Sequence, residues 1–126
     1  MRRLFLVCLG GALGSGARYL VASGVARLVG PGLPWGTLAV NVVGCFAIEL
    51  VLQAALRIGL GPLVVLSLTT GVMGGFTTYS AFNNQVLDFL RTASYGSAAL
   101  YFGATVVGCL VAGMLGIAAG HALWTR

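Results

Sequence analysis

"GGFTTYSAFNN", residues 74–84, sets hydroxyls, amides and aromatic rings side by side in a chain otherwise made largely of Leu, Val, Ala and Gly. Whether this stretch is a soluble loop or an interruption within a membrane span depends on the solvent of the residues around it. Of the 126 residues, 59% are hydrophobic and only 7% charged, and the mean hydropathy is +1.01. Those values lie far from a soluble globular domain and point to lipid. The polar stretch is then an interruption in the membrane.

The net charge is +5, a balance that in a soluble protein would raise nucleic acid as a partner. All the basic residues are Arg, however, and they fall mainly beside apolar runs, which is the membrane pattern. No basic cluster exceeds the Arg2–Arg3 pair and the aromatics lie inside apolar segments, so no nucleic-acid surface is expected. Cys8, Cys45 and Cys109 each fall in a separate apolar run, without disulfide or metal-ligand spacing, and read as small buried residues. The opening "MRRLFLVCLGGALGSGARYL" imitates a signal peptide, but three further long apolar segments follow it, so a retained first span is expected. "FLVC" lacks the small residue that precedes a lipoprotein cysteine, and no lipidation of Cys8 is expected.

A bilayer crossing needs about 20 apolar helical residues. The chain supplies four such stretches, roughly 4–26, 35–56, 62–90 and 98–124, joined by "GPGLPWG", "RIGLGP" and "RTASYGS". The expected fold is an all-α integral membrane protein, residues 1–126 forming a single four-helix transmembrane domain with its third helix broken. So thin a bundle is expected to work as an oligomer. Four spans put both termini on one side, so Arg2, Arg3, Arg57 and Arg126 oppose Arg27 and Arg91, with Arg18 near the end of the first span. Orientation follows asymmetry in Lys and Arg. This small bias fits insertion both ways round as well as simple orientation by the four-Arg side.

Ala104, Gly108, Ala112, Gly116 and Gly120 recur every four residues along the last span and make a ridge low enough for close approach of another helix. Gly10 and Gly14 form a shorter version in the first span, and Gly71 and Gly75 in the third.

Polar groups inside spans are costly and usually face an interior or a water-filled path. Asn41, in the second span, offers two donors and an acceptor, either to an anion or as glue between helices. In the third span Gly71, Gly74 and Gly75 precede Phe76, Thr77 and Thr78 at about mid-span, and glycines permit a helix break there. Carbonyls freed by a break must line protein or water, or hold an ion, naturally a cation. Beyond it Tyr79 and Phe82 share a helix face, as do Ser80 and Asn83 or Asn84. Tyr101, Thr105 and Cys109 follow at four-residue spacing on one face of the fourth span, either a solvated track or, more plainly, a Thr bonded back to its own helix and a Tyr anchored at the interface. Arg18 either snorkels to the interface or stands in a vestibule that attracts anions. Glu49 lies deeper, as a proton-coupling carboxylate or a protonated or Arg-paired structural group. Asp88 and His121 lie near span ends. No acid–base–nucleophile set, HExxH or CxxC is present, so no hydrolytic enzyme is expected.

Taken in order, "GGALGSGARY" at 10–19, "PWGTLAVNVVG" at 34–44 and "GGFTTYSAF" at 74–82 make the chain similar to the Fluc-type fluoride channels, the CrcB family first named for camphor resistance, over nearly its whole length. The resemblance implies a passive, fluoride-selective export channel of a prokaryotic plasma or inner membrane. It also implies an antiparallel, dual-topology homodimer in lipid, with two pores and a structural sodium ion at its centre. A heterodimer with a homologous subunit is a variant, in which this chain lines one pore or none. By position, the sodium-binding carbonyls fall on Gly74 and Thr77, the pore rings on Tyr79 and Phe82 with the Ser80 hydroxyl beside them, and the pore asparagine on Asn41. The polar track falls on Tyr101, Thr105 and Cys109, and the first-span arginine on Arg18. Tyr79 stands in place of Phe, Cys109 in place of a hydroxyl, Gln85 in place of an acid and Glu49 in place of a small residue. A proton-coupled multidrug exporter also has four short spans, but its carboxylate lies in the first span, where this chain has none.

Overall fold

The computed structural model describes residues 1–124. Arg126, counted above among the charges of one side, lies outside them. The four spans are Arg2–Val29, Trp35–Ile58, Pro62–Arg91 and Tyr95–Leu123, each long and apolar enough to cross a bilayer. No strand occurs among the described residues. We number the helices α1 (Arg2–Val29), α2 (Trp35–Ile58), α3 (Pro62–Leu66), α4 (Gly74–Phe76), α5 (Tyr79–Arg91) and α6 (Tyr95–Leu123), with a π-helical segment, Ser67–Met73, between α3 and α4.

The turns stop these helices by familiar means. Gly59 closes α2 in the left-handed conformation (φ 71°, ψ 47°), which costs glycine nothing. Pro62 then opens α3 at a position whose N–H has no helical partner in any case.

The tightest seams are made of glycine. Gly10 and Gly14 are the buried residues of α1. A methyl group on Gly10 would lie 2.8 Å from the Ser67 carbonyl oxygen, and one on Gly75 would lie 2.9 Å from Gly11 Cα. Lipid supplies no hydrophobic drive between helices, so such backbone-to-backbone packing does much of the holding. On the other side of α2, the ridge of α6 is the contact surface: Ala112, Gly116 and Gly120 are buried, with Ala104 and Gly108 half-buried on the same row. A methyl on Gly116 would sit 2.5 Å from the Phe46 carbonyl oxygen and 3.0 Å from Glu49 Cβ.

The third span departs from its sequence reading in one respect. The glycines expected to permit a break are not where the backbone leaves the helix: Gly74 is helical (φ −63°, ψ −35°). Extended angles appear at Thr77 (φ −79°, ψ 158°) and Thr78 (φ −151°, ψ 112°). Any L residue adopts those angles, so the departure needs no glycine, and Gly71 and Gly75 serve the approach of α1 instead.

Candidate functional site

The site is organised by what happens to the backbone at Thr77 and Thr78. In an uninterrupted α-helix the Thr78 N–H would donate to the Gly74 carbonyl. It donates instead to Asn41 Oδ1 at 2.8 Å, while Asn41 Nδ2 donates to the Thr78 carbonyl at 3.1 Å. One buried amide thus satisfies both backbone groups of one residue, as a neighbouring strand would. Asn41 is glue between spans in this respect, and it keeps a second Nδ2 hydrogen. The Thr78 hydroxyl caps α5 by accepting from the Ala81 N–H at 3.3 Å.

The clamp and the cap release two carbonyls from the helical ladder, those of Gly74 and Thr77, because Thr78 and Ala81 donate elsewhere. The Thr77 oxygen faces the Arg18 guanidinium, whose Nη1 donates to it over 3.4 Å. The neighbouring Gly75 carbonyl accepts from Ser15 Oγ at 3.4 Å. Uncharged backbone oxygens are the ligand type that hard cations take. The positive charge of Arg18 competes for one of them.

Beyond the clamp the rings gather. Tyr79 and Phe82 meet edge to face with centroids 5.7 Å apart, and Phe82 packs on Tyr101 at 5.5 Å and Phe102 at 5.9 Å. Phe82 is buried against α6, whereas Tyr79 is 76% exposed, so the two members of the pair meet different surroundings. The Tyr101 hydroxyl donates to Gln85 Oε1 at 2.7 Å, and Gln85 Nε2 donates to Thr37 Oγ1 at 3.0 Å. Thr105 Oγ1 donates back to the Tyr101 carbonyl at 2.8 Å, the plainer of the two roles its position allows.

A groove of about 410 Å³ runs along this face. Asn41, Tyr79, Phe82, Thr105 and Cys109 line it, together with Gly74 and Thr77, so three spans contribute. Ser80 and Arg18 instead line a neighbouring cavity of about 340 Å³ on the far side of Thr78. Tyr101 is wholly buried behind the groove and acts on it through Phe82 and Thr105. Glu49 is half-buried on α2 and makes no ion pair with an arginine among the described residues. Asp88 pairs with Arg91 at 2.8 Å, and Arg57 donates to His121 Nδ1 at 2.8 Å, both at helix ends.

Thr37 was not singled out in the sequence, and Gln85 only as a departure. The signal was present in principle, since a Tyr hydroxyl deep in a span requires an acceptor, but the acceptor's location depends on how α5 meets α6. Gln85→Leu is expected to destabilise the protein by about 1–3 kcal/mol, because it leaves the buried Tyr101 hydroxyl unpaired. Gln85→Glu keeps that acceptor and is expected to recover part of the loss. Thermal unfolding in detergent reads both, and a Leu variant that melts with the wild type shows that the network carries no stability.

A sequence profile described as "CrcB-like protein, Camphor Resistance (CrcB)" matches residues 5–117. A protein of Anaeromyxobacter sp. (strain K) named fluoride-specific ion channel FluC is 53% identical over 113 residues, 89% of this chain and 90% of its own length. Proteins of the same name from Geobacter sulfurreducens and Sorangium cellulosum are 44% and 43% identical, each over 124 residues and 98% of this chain, covering 100% and 98% of their own lengths.

Proposed function

The chain belongs to the CrcB family, and on that footing we propose that it is a fluoride-selective channel of the prokaryotic plasma membrane through which the anion leaves the cell passively. One observation carries the reading to particular residues: Asn41, Tyr79, Phe82, Thr105 and Cys109 come from three separate spans and line one groove.

The chemistry of that groove suits a small, strongly hydrated anion, whose lost water must be replaced by donors. Asn41 is held by its clamp with one Nδ2 hydrogen to spare. Aromatic rings carry positive edges, so Phe82 and Tyr79 offer an anion partial charge without a full cation that would hold it too firmly. The Thr105 hydrogen is engaged with its own helix and reaches an anion only by turning away from that bond. Conduction requires binding weak enough to release, and donors with other partners meet that requirement. Arg18, with Ser80, stands at the neighbouring cavity as a vestibule that draws anions in.

The groove is open along one side of the chain, and we infer that an inverted second copy closes it, giving an antiparallel homodimer with both orientations in the membrane. Around its two-fold axis the Gly74 and Thr77 carbonyls of each copy would hold a sodium ion between the interrupted third helices. Bound there, the ion supplies positive charge that ties four backbone oxygens together.

Fluoride efflux from liposomes holding this chain alone is the test. Fast fluoride efflux is expected, with chloride efflux at the level of empty liposomes. Absence of fluoride flux from well-folded protein overturns the channel reading for the homodimer and directs attention to a heteromeric partner. Exchange of sodium for a large organic cation is expected to abolish the flux or dissociate the dimer, and unchanged flux overturns the sodium site. Glu49, in no ion pair among the described residues, is the feature that favours a proton-coupled exporter; a Glu49→Gln chain that conducts fluoride as before removes that reading.

A further inference from the structure

Cys45 on α2 and Cys109 on α6 stand apart in the sequence, yet the fold brings both to the seam between those helices. Both line the groove described above and also a second cavity of about 330 Å³ that continues along the seam past Glu49 and Met114. Each is half-buried and free of any disulfide, so each is reachable from the groove. Cys8, by contrast, is exposed on the outer face of α1.

We propose that Cys45 and Cys109 form a two-thiol site for a soft divalent cation, the mercuric ion being the type, which bridges α2 to α6 inside the groove. Thiolates select soft metals. No third His, Cys, Asp or Glu joins the pair among the described residues, which disfavours zinc with its four ligands and suits an ion content with two ligands in line. Charge points the same way. Two S–H bonds break, two S–Hg bonds form, two protons leave to water and no electron is transferred, so the bridged product is neutral. A neutral complex avoids the large cost of leaving a net charge in a low-dielectric span. The block that follows rests on the groove being the permeation path: a metal seated between Cys45 and Cys109 lies beside Thr105 and Asn41 and closes the way to fluoride.

The experiment starts from the full-length Cys8→Ser protein, so that only the pair remains. After exposure to mercuric chloride and removal of excess, intact-mass spectrometry is expected to show one mercury per chain with two protons lost. Stripping that ion should take about 100-fold more monothiol competitor than stripping it from a chain with a further Cys45→Ser or Cys109→Ser change, because the second bond is intramolecular. Circular dichroism and gel filtration confirm that the variants fold, and alkylation of the thiols in the unmutated pair gives the same comparison without a substitution. Two mercury ions per chain, or equal retention by the single-thiol variants, overturns the site. In liposomes, the loaded Cys8→Ser channel is expected to lose fluoride efflux and regain it with a dithiol chelator. Mercury bridged in the pair with efflux unchanged overturns the block. A chain that conducts no fluoride before metal is added counts against the proposed function, and the mass readout of the site stands independently of it.

Discussion

Asn41→Ala is expected to lower fluoride efflux about 100-fold and to lower thermal stability in parallel. The amide holds the Thr78 N–H at 2.8 Å and the Thr78 carbonyl at 3.1 Å, in a place where water cannot substitute freely. Leaving a buried donor or acceptor unmade costs about 1–3 kcal/mol, and two such losses, taken near the lower end, give a factor of about 100. The consequences spread from there. Without the clamp the Thr78 N–H and carbonyl lose their partner together, and the start of α5, with Tyr79 and Phe82, loses its anchor. Asn41→Asp separates the two jobs of the side chain. It keeps an acceptor for the Thr78 N–H, removes the donor to the Thr78 carbonyl and sets a carboxylate on the wall of the proposed anion path, so flux is expected to fall at least as far as in the Ala variant. Efflux by liposome assay and melting in detergent are read together. A fall in flux with unchanged melting makes Asn41 a donor to the anion and nothing more, while wild-type flux in Asn41→Ala overturns its place in the site.

The second large effect is expected from a single methyl group. Gly14→Ala places a Cβ against the Val72 carbonyl and 2.9 Å from the Phe76 nitrogen, backbone atoms that no rotamer change can move. Overpacking typically costs 1–3 kcal/mol, and with the π-helical segment and α4 both displaced about 3 kcal/mol or more is expected. Stable protein recovered in detergent should fall sharply, with any remainder melting early. Gly16→Ala, two residues away, supplies the control, because nothing lies within 4 Å of its added methyl. Ala also favours a helix over Gly by up to about 1 kcal/mol, so the control should melt at or above the wild type. Equal behaviour of the two variants would show that α1 and the third span are not held by this seam.

These two residues illustrate how unevenly the molecule could be read in advance. The four spans follow from composition, because hydrocarbon leaves a chain of this kind no alternative to helices about 20 residues long. The α6 ridge, Ala104 to Gly120, was equally legible, since five small residues in one row make a contact face whatever they touch. Gly10, Gly14, Gly71 and Gly75 were harder. In pairs they look like chance in a glycine-rich chain, and only the docking of α1 on the third span turns them into close backbone contacts. Asn41 was visible as a polar residue in lipid, but its partner 37 positions away was not.

The sequence by itself determined that this is a four-span membrane protein of the CrcB family with polar chemistry concentrated in the third span, because hydropathy and ordered motifs are properties of the chain taken residue by residue. The tertiary structure decided where that chemistry goes. Asn41 reaches Thr78, Gln85 joins Tyr101 to Thr37, and Cys45 and Cys109 come to line one groove, each across a seam between helices whose register no single stretch of sequence records. Hydrogen bonds act over about 3 Å, and a shift of one helical turn, about 5.4 Å, would dissolve every one of those pairings while leaving hydropathy and motif unchanged.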